Sequence, residues 1–331
     1  MATWVLGGDV GGTKTNLALY RVEGAEGLRL EREDSFPSQR STGLEEIVRA
    51  FLRDHSDGIA AAAFGVAGPV KDGAVRVTNL DWTVEAHSLA TALGGAGVQL
   101  LNDLEATAYG ALFLAPDELQ TLNEGHAQAT HRAVIAAGTG LGQAILFWDG
   151  ERHQPSPTEG GHVDFAPRDD REMGLLRFLL ERHDRVSYER VLSGPGLVEI
   201  AHYIERDRGG SIEPEVRERL RSEDAGAAIG DAGVSGRCAV CREAVELFVS
   251  LYGAQAANLA LTSMALGGVY VGGGIVTKLL PVVTAGAFMQ AFLAKGRFAS
   301  LLADVPVQVI LNPKTALFGA GRAALELTRA A

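Results

Sequence analysis

The sequence has almost no cysteine, and the two that it has, Cys238 and Cys241, are separated by only two residues. A C-x-x-C spacing is compatible with a zinc site or a redox pair. A structural zinc site needs four ligands, and the nearest histidines in the sequence, His183 and His202, form no matching second pair. We therefore expect a reduced structural pair of free thiols in a protein of the reducing cytoplasm.

An excess of positive charge is also missing. The chain has 30 basic and 41 acidic residues, and its formal net charge is −11. This balance argues against a surface that binds nucleic acid or an anionic membrane. It leaves a nucleotide ligand open, because a nucleotide's charge can be met by a few local groups.

The chain lacks a long uninterrupted apolar run. Its most apolar region, residues 244–268, is broken by Glu246, Gln255 and Asn258, so we expect a buried helix there and not a membrane span. Met1 is followed almost at once by a predicted strand, and we expect no signal peptide.

Glycine, by contrast, is abundant: the chain of 331 residues contains 41. The stretch 4–20 combines a dense glycine cluster with apolar runs on both sides, at Val5–Leu6 and Leu17–Tyr20. Common phosphate loops of the dinucleotide type open a helix, but here a short run of strand formers follows the turn. The pattern therefore predicts a strand, a glycine turn and a second strand.

The tip of this hairpin carries candidate phosphate-binding residues. Glycines let an anion approach closely and expose successive backbone N–H groups. Thr13 and Lys14 add donors, and Asp9 could hold a hydrated Mg²⁺. The alternative is a tight hairpin that needs glycine for its geometry alone. The candidate residues are Gly8, Asp9, Val10, Gly11, Gly12, Thr13 and Lys14.

The same plan occurs a second time. Residues 133–137 are apolar, Gly138–Gly142 form a glycine turn, and residues 143–148 are strand-like. A repeated plan predicts a duplicated fold and two domains, with two phosphate-binding hairpins that face each other across a cleft.

Elsewhere the chain alternates short apolar strands with helical patterns, which is typical of an α/β protein. Further strands are predicted at 59–66, 75–79, 98–101, 269–271 and 305–311. Helices are predicted at 43–53, 104–114, 171–183, 196–206, 239–266 and 316–330, with a short one ending near residue 93. The charged residues 207–224 are predicted to form an exposed excursion.

Six short motifs follow one another along the chain. They are Asp9–Thr13, Leu101–Asp103, Gly138–Gly140, Glu159–Phe165, Glu189–Gly196 and Val271–Ile275. Together they resemble the bacterial glucokinase family, hexokinase-type sugar kinases of the actin-like ATPase superfamily. The first and third resemble the two phosphate motifs, the second the connecting motif with the catalytic base, and the last the adenosine motif. The fourth and fifth resemble the sugar site and are more specific to the family.

The resemblance implies an α/β protein with the two-lobed actin-like ATPase (ribonuclease H-like) fold, in which mixed β-sheets are flanked by helices and a cleft lies between the lobes. Together with the duplication, it implies a small α/β domain of residues 1–108 plus 314–331 and a large α/β domain of residues 109–313. It also implies a cytoplasmic homodimer.

Kinases and repressors of the related ROK type usually have a cysteine-rich zinc motif, which two cysteines cannot supply. The repressors also have an N-terminal DNA-binding domain, for which we see no room before Val5.

The activity that the resemblance implies is transfer of the γ-phosphate of ATP to the 6-hydroxyl of glucose, which gives glucose 6-phosphate for glycolysis and ADP. Asp103 would take the proton of the hydroxyl as general base. Judged from spacing alone, Asn102 and Asp103 are better explained as a cap of the following helix.

The resemblance assigns the glucose hydroxyls to acceptor and donor side chains. They are Asn79, Asn102, Asp103, Glu159, His162 and Glu189, of which Asn79 is the weakest candidate. Asp164 would support the sugar loop. Without the resemblance, Glu189 would be interpreted as an exposed helix acid and His162 as a lone histidine satisfied by the backbone.

For ATP, the resemblance adds a second set of residues to the first hairpin. They are Gly138, Thr139, Gly140, Gly273 and Gly274. Asp9 would hold Mg²⁺ through water, and ordering of the hairpin by backbone hydrogen bonds to its carboxylate is the equal alternative. Two other functions stay open: a kinase for another hexose, and a non-catalytic sugar sensor with the same fold.

Overall fold

The structure of the protein is a computed structural model that describes residues 2–78, 80–221 and 224–330. The strands are β1 (Trp4–Val10), β2 (Lys14–Glu23), β3 (Gly27–Pro37), β4 (Ala61–Val66), β5 (Ala74–Arg76), β6 (Thr83–Glu85), β7 (Gly97–Asn102), β8 (Leu119–Asn123), β9 (Arg132–Ala137), β10 (Leu141–Trp148), β11 (His153–Thr158), β12 (Gly268–Gly272) and β13 (Val307–Ile310). The helices are α1 (Leu44–Phe51), α2 (Ala86–Ala92), α3 (Asp103–Ala111), α4 (Asp170–Leu180), α5 (Gly194–Arg208), α6 (Pro214–Arg219), α7 (Ala225–Val234), α8 (Ala239–Ser263), α9 (Gly274–Lys278), α10 (Leu280–Val282), α11 (Phe288–Leu293), α12 (Ala299–Ala303) and α13 (Thr315–Ala330).

These elements form two compact units. The first comprises Met1–Ala115, Pro155–Pro157 and Asn312–Ala331, and the second comprises Pro116–Gln154 and Thr158–Leu311. The domain boundaries that the sequence predicts, after residues 108 and 313, stay a prediction.

The sheet of the first unit has the order β3-β2-β1-β4-β7. Strands β1, β2 and β3 pair antiparallel, and β1, β4 and β7 pair parallel. The six residues of β4 are all buried, which is typical of a central parallel strand with both faces covered. Phe64 points into one apolar cluster, with helix α1, and Ala63 into another, with helix α13.

Glycines let helix α13 approach its neighbours closely. A Cβ at Gly7 of β1 would lie 2.7 Å from the backbone N of Gly321, and a Cβ at Gly319 would lie 1.9 Å from the carbonyl oxygen of Ala106 in α3. Side chains at these positions would push the helix away from the sheet. Part of the glycine content is therefore required for packing.

The sheet of the second unit has the order β11-β10-β9-β12-β13-β8. Strands β9 and β10 form an antiparallel hairpin, while β9, β12 and β13 run parallel. In both sheets a hairpin is therefore followed by parallel strands, as the predicted duplication requires. The two edge strands, β8 and β11, were not predicted.

Helix α8 forms the centre of the second unit. Among the described residues it alone is long and apolar enough to cross a membrane, but 78% of its most apolar stretch is buried inside the protein. The prediction of a buried core helix is confirmed.

Two predictions made from the sequence are wrong. The charged stretch 207–224 is not a purely exposed excursion, because it contains α6, and Ile212 and Val216 are buried in the core. Cys238 and Cys241 are not free thiols but form a disulfide, with their Cα atoms 5.1 Å apart. Two intervening residues at the start of a helix bring the side chains within the distance that a disulfide spans.

Candidate active site

The first hairpin has the predicted strand–turn–strand form. Asp9 pairs with Asn16 across the antiparallel strands, and the turn closes with a 2.9 Å hydrogen bond from Gly11 N to the Lys14 carbonyl. Thr13 and Lys14 are exposed at the tip. Gly8 and Val10 are buried, and a Cβ at Gly8 would lie 2.3 Å from the Phe64 ring.

Ser38, which sequence reasoning missed, holds this turn in place. Its hydroxyl donates to the Gly11 carbonyl at 2.8 Å and lies 3.0 Å from the Thr15 hydroxyl, and its backbone N donates to the Thr13 carbonyl at 3.0 Å. A buried serine that binds three points of a loop fixes its conformation. Nothing in the sequence near Ser38 signals this role.

Asp9 lies beside the turn with little hydrogen-bonding support. Within the described part of the chain its carboxylate accepts one hydrogen bond, from Asn16 Nδ2 at 3.4 Å. Burial raises the pKa of the Asp9 carboxyl, and the Asn16 amide lowers it to a lesser extent. Among the described residues, no backbone N–H donates to this carboxylate, whereas the hairpin-ordering alternative needs such donors.

The second glycine turn follows β9 and is held by a buried tyrosine. The Tyr252 hydroxyl of α8 accepts from Ala137 N at 2.9 Å and lies 2.9 Å from the Gly272 carbonyl and 3.1 Å from the Ile135 carbonyl. Burial raises the pKa of this phenol, so the hydroxyl keeps its proton. Tyr252 thus joins the ends of β9 and β12, just before Gly138 and Gly273. The sequence did not predict this role of Tyr252.

A cavity of about 700 Å³ lies beside this turn. Three residues predicted to bind the nucleotide line it: Gly138, Thr139 and Gly274. Gly273 does not line the cavity. It has φ +90°, and a Cβ there would lie 2.1 Å from the Ala137 carbonyl oxygen, so only glycine fits between the strands.

The same cavity contains residues that were not predicted as ligands. Gly194 and Pro195 open helix α5, and Gly194 N donates to the Gly138 carbonyl at 2.9 Å. The N-terminus of a helix favours an anion such as phosphate. Asp224 and Lys278 form an ion pair of 3.9 Å on the wall. Gly194 and Pro195 lie in the Glu189–Gly196 motif, which resembles the sugar site, and no local pattern signalled the ion pair.

Three of the predicted sugar residues come together in the second unit. Glu159 and His162 flank a short helical turn, and His162 Nε2 lies 3.8 Å from Glu159 Oε2. On the other side of the imidazole, Nδ1 lies 3.8 Å from Glu189 Oε1. Two carboxylates around one imidazole give the acceptors and the donor that a polyhydroxylated ligand needs.

The loop that carries His162 is fixed from behind. Arg185 Nη1 donates at 2.7 Å both to Asp164 Oδ1 and to the His162 carbonyl. A Cβ at Gly161 would lie 1.9 Å from the Leu141 carbonyl oxygen, so the loop packs directly on the second hairpin. The predicted supporting role of Asp164 is confirmed.

Glu189 links this trio to the second glycine turn. Its Oε2 accepts from Leu141 N at 3.0 Å, while its Oε1 faces His162. A Cβ at Gly140 would lie 2.5 Å from the same Oε2. One carboxylate therefore touches both the sugar candidates and the turn that lines the cavity.

Asn102 and Asp103 lie in the first unit, where β7 ends and α3 begins. Asn102 Oδ1 accepts from Leu104 N at 2.8 Å and Asn102 N donates to Glu105 Oε2 at 2.7 Å, which completes a capping box. Asn102 Nδ2 donates to the Gly68 carbonyl at 3.2 Å, and Asp103 Oδ1 accepts from Leu104 N at 2.9 Å. Both residues therefore do cap the helix, as the alternative from spacing predicts. Asn79 lies outside the described residues.

Comparison with known proteins gives the family. A family model described as Glucokinase matches residues 6–327. A glucokinase of Trichormus variabilis is 41% identical over an alignment of 345 positions, which covers 98% of this chain and 100% of that protein.

The solved structures agree. The crystal structure of a glucokinase from an Antarctic psychrotroph has a TM-score of 0.87 at 29% identity and covers 98% of this chain and 99% of that one. A ROK family glucokinase from Streptomyces griseus, crystallised with glucose and AMPPNP, has a TM-score of 0.63 at 22% identity over 98% of this chain and 100% of that one, and shows the fold alone. These neighbours confirm the predicted actin-like ATPase fold.

Proposed function

This chain belongs to the glucokinase family, and on that premise we propose how it acts as an ATP-dependent hexose kinase. It transfers the γ-phosphate of ATP to the 6-hydroxyl of glucose and releases glucose 6-phosphate and ADP. The observation that carries the proposal is the convergence of Glu159, His162 and Glu189 beside the second glycine turn, with Glu189 Oε2 hydrogen-bonded to Leu141 N.

Asp103 is the general base. Phosphoryl transfer is mainly positioning and charge neutralisation, but the attacking hydroxyl must lose a proton to a carboxylate within hydrogen-bond reach. The hydrogen bond from Leu104 N to Asp103 Oδ1 fixes this carboxylate at the start of α3. A capping role and a catalytic role are therefore compatible in one residue, because the cap orients the base.

The glucose hydroxyls bind to Glu159, His162 and Glu189, with Asn102 as a further donor. Asn102 Nδ2 carries two protons, of which the hydrogen bond to the Gly68 carbonyl uses one. Arg185 holds the His162 loop through Asp164, so the imidazole is placed before sugar arrives. Preplacement lowers the entropy lost on binding.

ATP binds along the cavity lined by Gly138, Thr139 and Gly274, with the first glycine hairpin as a second phosphate contact. Glycine at these positions lets the phosphates approach the backbone. The start of α5 adds the positive end of a helix dipole. Lys14, exposed at the tip of the first hairpin, neutralises phosphate charge.

Mg²⁺ is held by Asp9 through water. The fit rests on the carboxylate itself: it is partly buried, it accepts one side-chain hydrogen bond among the described residues, and burial raises its pKa. A cation would compensate such a poorly supported charge. When bound, Mg²⁺ supplies charge neutralisation at the phosphates.

We also place the enzyme in the cytoplasm as a homodimer, on family membership alone.

The test pairs wild type with Asp103→Ala in a coupled assay for glucose 6-phosphate. We expect kcat to fall at least about 100-fold, the scale of general base catalysis, with glucose binding largely kept. Asp170→Ala is the matched control, because Asp170 is also the first residue of its helix but is exposed in α4. Near-normal turnover of Asp103→Ala would remove Asp103 from the mechanism.

A panel of hexoses with Mg-ATP separates the alternative activities. A far higher kcat/KM for mannose, fructose or an amino sugar would make this a kinase for that hexose. Complete absence of sugar phosphate under saturating Mg-ATP and each sugar would indicate a sugar sensor.

A further inference from the structure

The disulfide at the start of α8 has a carboxylate beside it. Glu213, the residue before α6, places a carboxylate oxygen so that it and the Sγ atoms of Cys238 and Cys241 all lie within 4.8 Å of one another. Both cysteines are fully buried. None of these three residues belongs to the proposed glucose or ATP sites.

The Glu213 carboxylate is not satisfied where it lies. Its Oε2 is buried and has no hydrogen-bond partner among residues 2–78, 80–221 and 224–330. A buried carboxylate oxygen without a partner is unfavourable unless a cation or a donor meets it. The nearby sulfurs of a disulfide offer neither.

The two sulfurs are positioned to become good ligands once they are separated. Cys238 is the N-cap of α8, and its Sγ accepts from Cys241 N at 3.1 Å. The N-terminus of a helix stabilises a thiolate. A site of two thiolates and one carboxylate oxygen prefers Zn²⁺ over most other divalent cations that proteins bind. A water molecule can take the fourth tetrahedral position.

We propose that Glu213, Cys238 and Cys241 form a zinc site when the disulfide is reduced. A dithiol reductant gives two electrons and two protons to the disulfide and becomes a cyclic disulfide itself, which leaves two thiols in the protein. Zn²⁺ then displaces both thiol protons and binds the two thiolates and the ionised Glu213. The oxidised protein has no thiolate and does not bind the ion.

The site would connect two parts of the second unit. Glu213 directly precedes α6 within the charged stretch, whereas Cys238 directly precedes the core helix α8 and Cys241 lies in its first turn. In the same region a Cβ at Gly210 would lie 2.8 Å from Val240 Cγ2, so the two parts already touch. A metal that binds the folded state alone stabilises it.

In the experiment the full chain is titrated with Co²⁺, which is then displaced with Zn²⁺. One sample is oxidised protein, and the other is protein reduced with a dithiol that is then removed. The reduced protein should bind one ion per chain and show the thiolate-to-cobalt charge-transfer band and the strong visible bands of a tetrahedral site. The oxidised protein should show neither. Absence of binding by the reduced wild-type protein would overturn the proposal.

Glu213→Gln tests the third ligand in the reduced protein. It should weaken Zn²⁺ binding at least about tenfold, since the loss of even an outer-shell partner has an effect of this size. Glu215→Gln is the matched control, because Glu215 is exposed on the short helix that follows Glu213 and its replacement should leave affinity unchanged. Unchanged affinity in Glu213→Gln would overturn the three-ligand site. Zinc should also raise the melting temperature of reduced wild type and not of oxidised wild type, a comparison that needs no variant.

Discussion

Replacement of Tyr252 by phenylalanine tests whether one hydroxyl holds the two glycine segments beside the cavity that we propose for ATP. The change removes the oxygen that accepts from Ala137 N and lies 2.9 Å from the Gly272 carbonyl. The ring keeps its place, because Phe248 and Phe288 pack edge-to-face against it at 6.0 and 5.9 Å. The variant therefore isolates the hydrogen bonds from the packing.

The expected loss of stability follows from the donor that is left behind. A buried N–H without a partner costs about 1–3 kcal/mol. For a protein unit of this size, each kcal/mol lowers the melting temperature by about 2–4 °C, so the variant should melt about 2–12 °C below wild type. Because Ala137 and Gly272 directly precede Gly138 and Gly273, we also expect KM for ATP to rise severalfold, with KM for glucose nearly unchanged.

The assay combines thermal unfolding with steady-state kinetics at varied ATP and varied glucose. Tyr203→Phe is the control, because the buried Tyr203 hydroxyl donates to the Arg171 carbonyl at 2.9 Å, in the same unit but outside the cavity. It should lose stability without a change in KM for ATP. Equal ATP kinetics in the two variants would refute the positioning role of Tyr252, and an unchanged melting temperature would refute the hydrogen bonds.

Three further substitutions separate the roles of individual residues of the proposed site. Gly140→Ala should raise KM for glucose roughly tenfold or more, because its Cβ displaces the flexible Glu189 carboxylate from 2.5 Å and so breaks its charge-assisted hydrogen bond with Leu141 N. The Leu141 N–H loses its acceptor, so the melting temperature should fall as well. Unchanged glucose kinetics would contradict the link. Gly138→Ala has open space around its Cβ and should raise KM for ATP instead, as measured at saturating glucose; unaltered ATP kinetics would count against a phosphate at that turn. Asp9→Asn should lower activity yet raise the melting temperature at neutral pH without Mg²⁺. Burial raises the pKa of the Asp9 carboxyl in the folded protein above its unfolded value. The stability that the folded protein gains from protonated Asp9 is therefore fully present below the unfolded pKa and is lost as pH rises through the folded pKa. The advantage of Asn should vanish in acid below that window, and an advantage independent of pH would contradict the argument.

The sequence was informative where a local pattern determines a local structure. The run of strand formers after the first glycine turn predicted the β1–β2 hairpin, and its repeat around Gly138–Gly142 predicted the second one. The apolar run of α8, broken by Glu246, Gln255 and Asn258, predicted a core helix, and the burial of 78% of its most apolar stretch agrees with that prediction.

The strands that were missed lie at the edges of the second sheet. β8 reads Leu-Gln-Thr-Leu-Asn, and β11 reads His-Gln-Pro-Ser-Pro-Thr. Edge strands are half solvated and tolerate proline, so they lack the apolar alternation and the proline-free runs that identify central strands.

The site residues that were missed act through distant partners. Ser38 reaches back to Gly11, and Tyr252 reaches Ala137 across more than a hundred residues of chain. Glu213 meets Cys238 and Cys241 only in the folded chain. Proximity of this kind depends on tertiary packing, which no spacing in the sequence encodes.

The most direct test of the central claim is the identity of the product. Purified protein is incubated with Mg-ATP and glucose, and the sugar product is analysed by phosphorus–proton correlation NMR. We predict one phosphate per sugar, coupled to the two protons on carbon 6, formed in equal amount with ADP. A phosphate on another carbon, or ADP formed without any sugar phosphate, would contradict it.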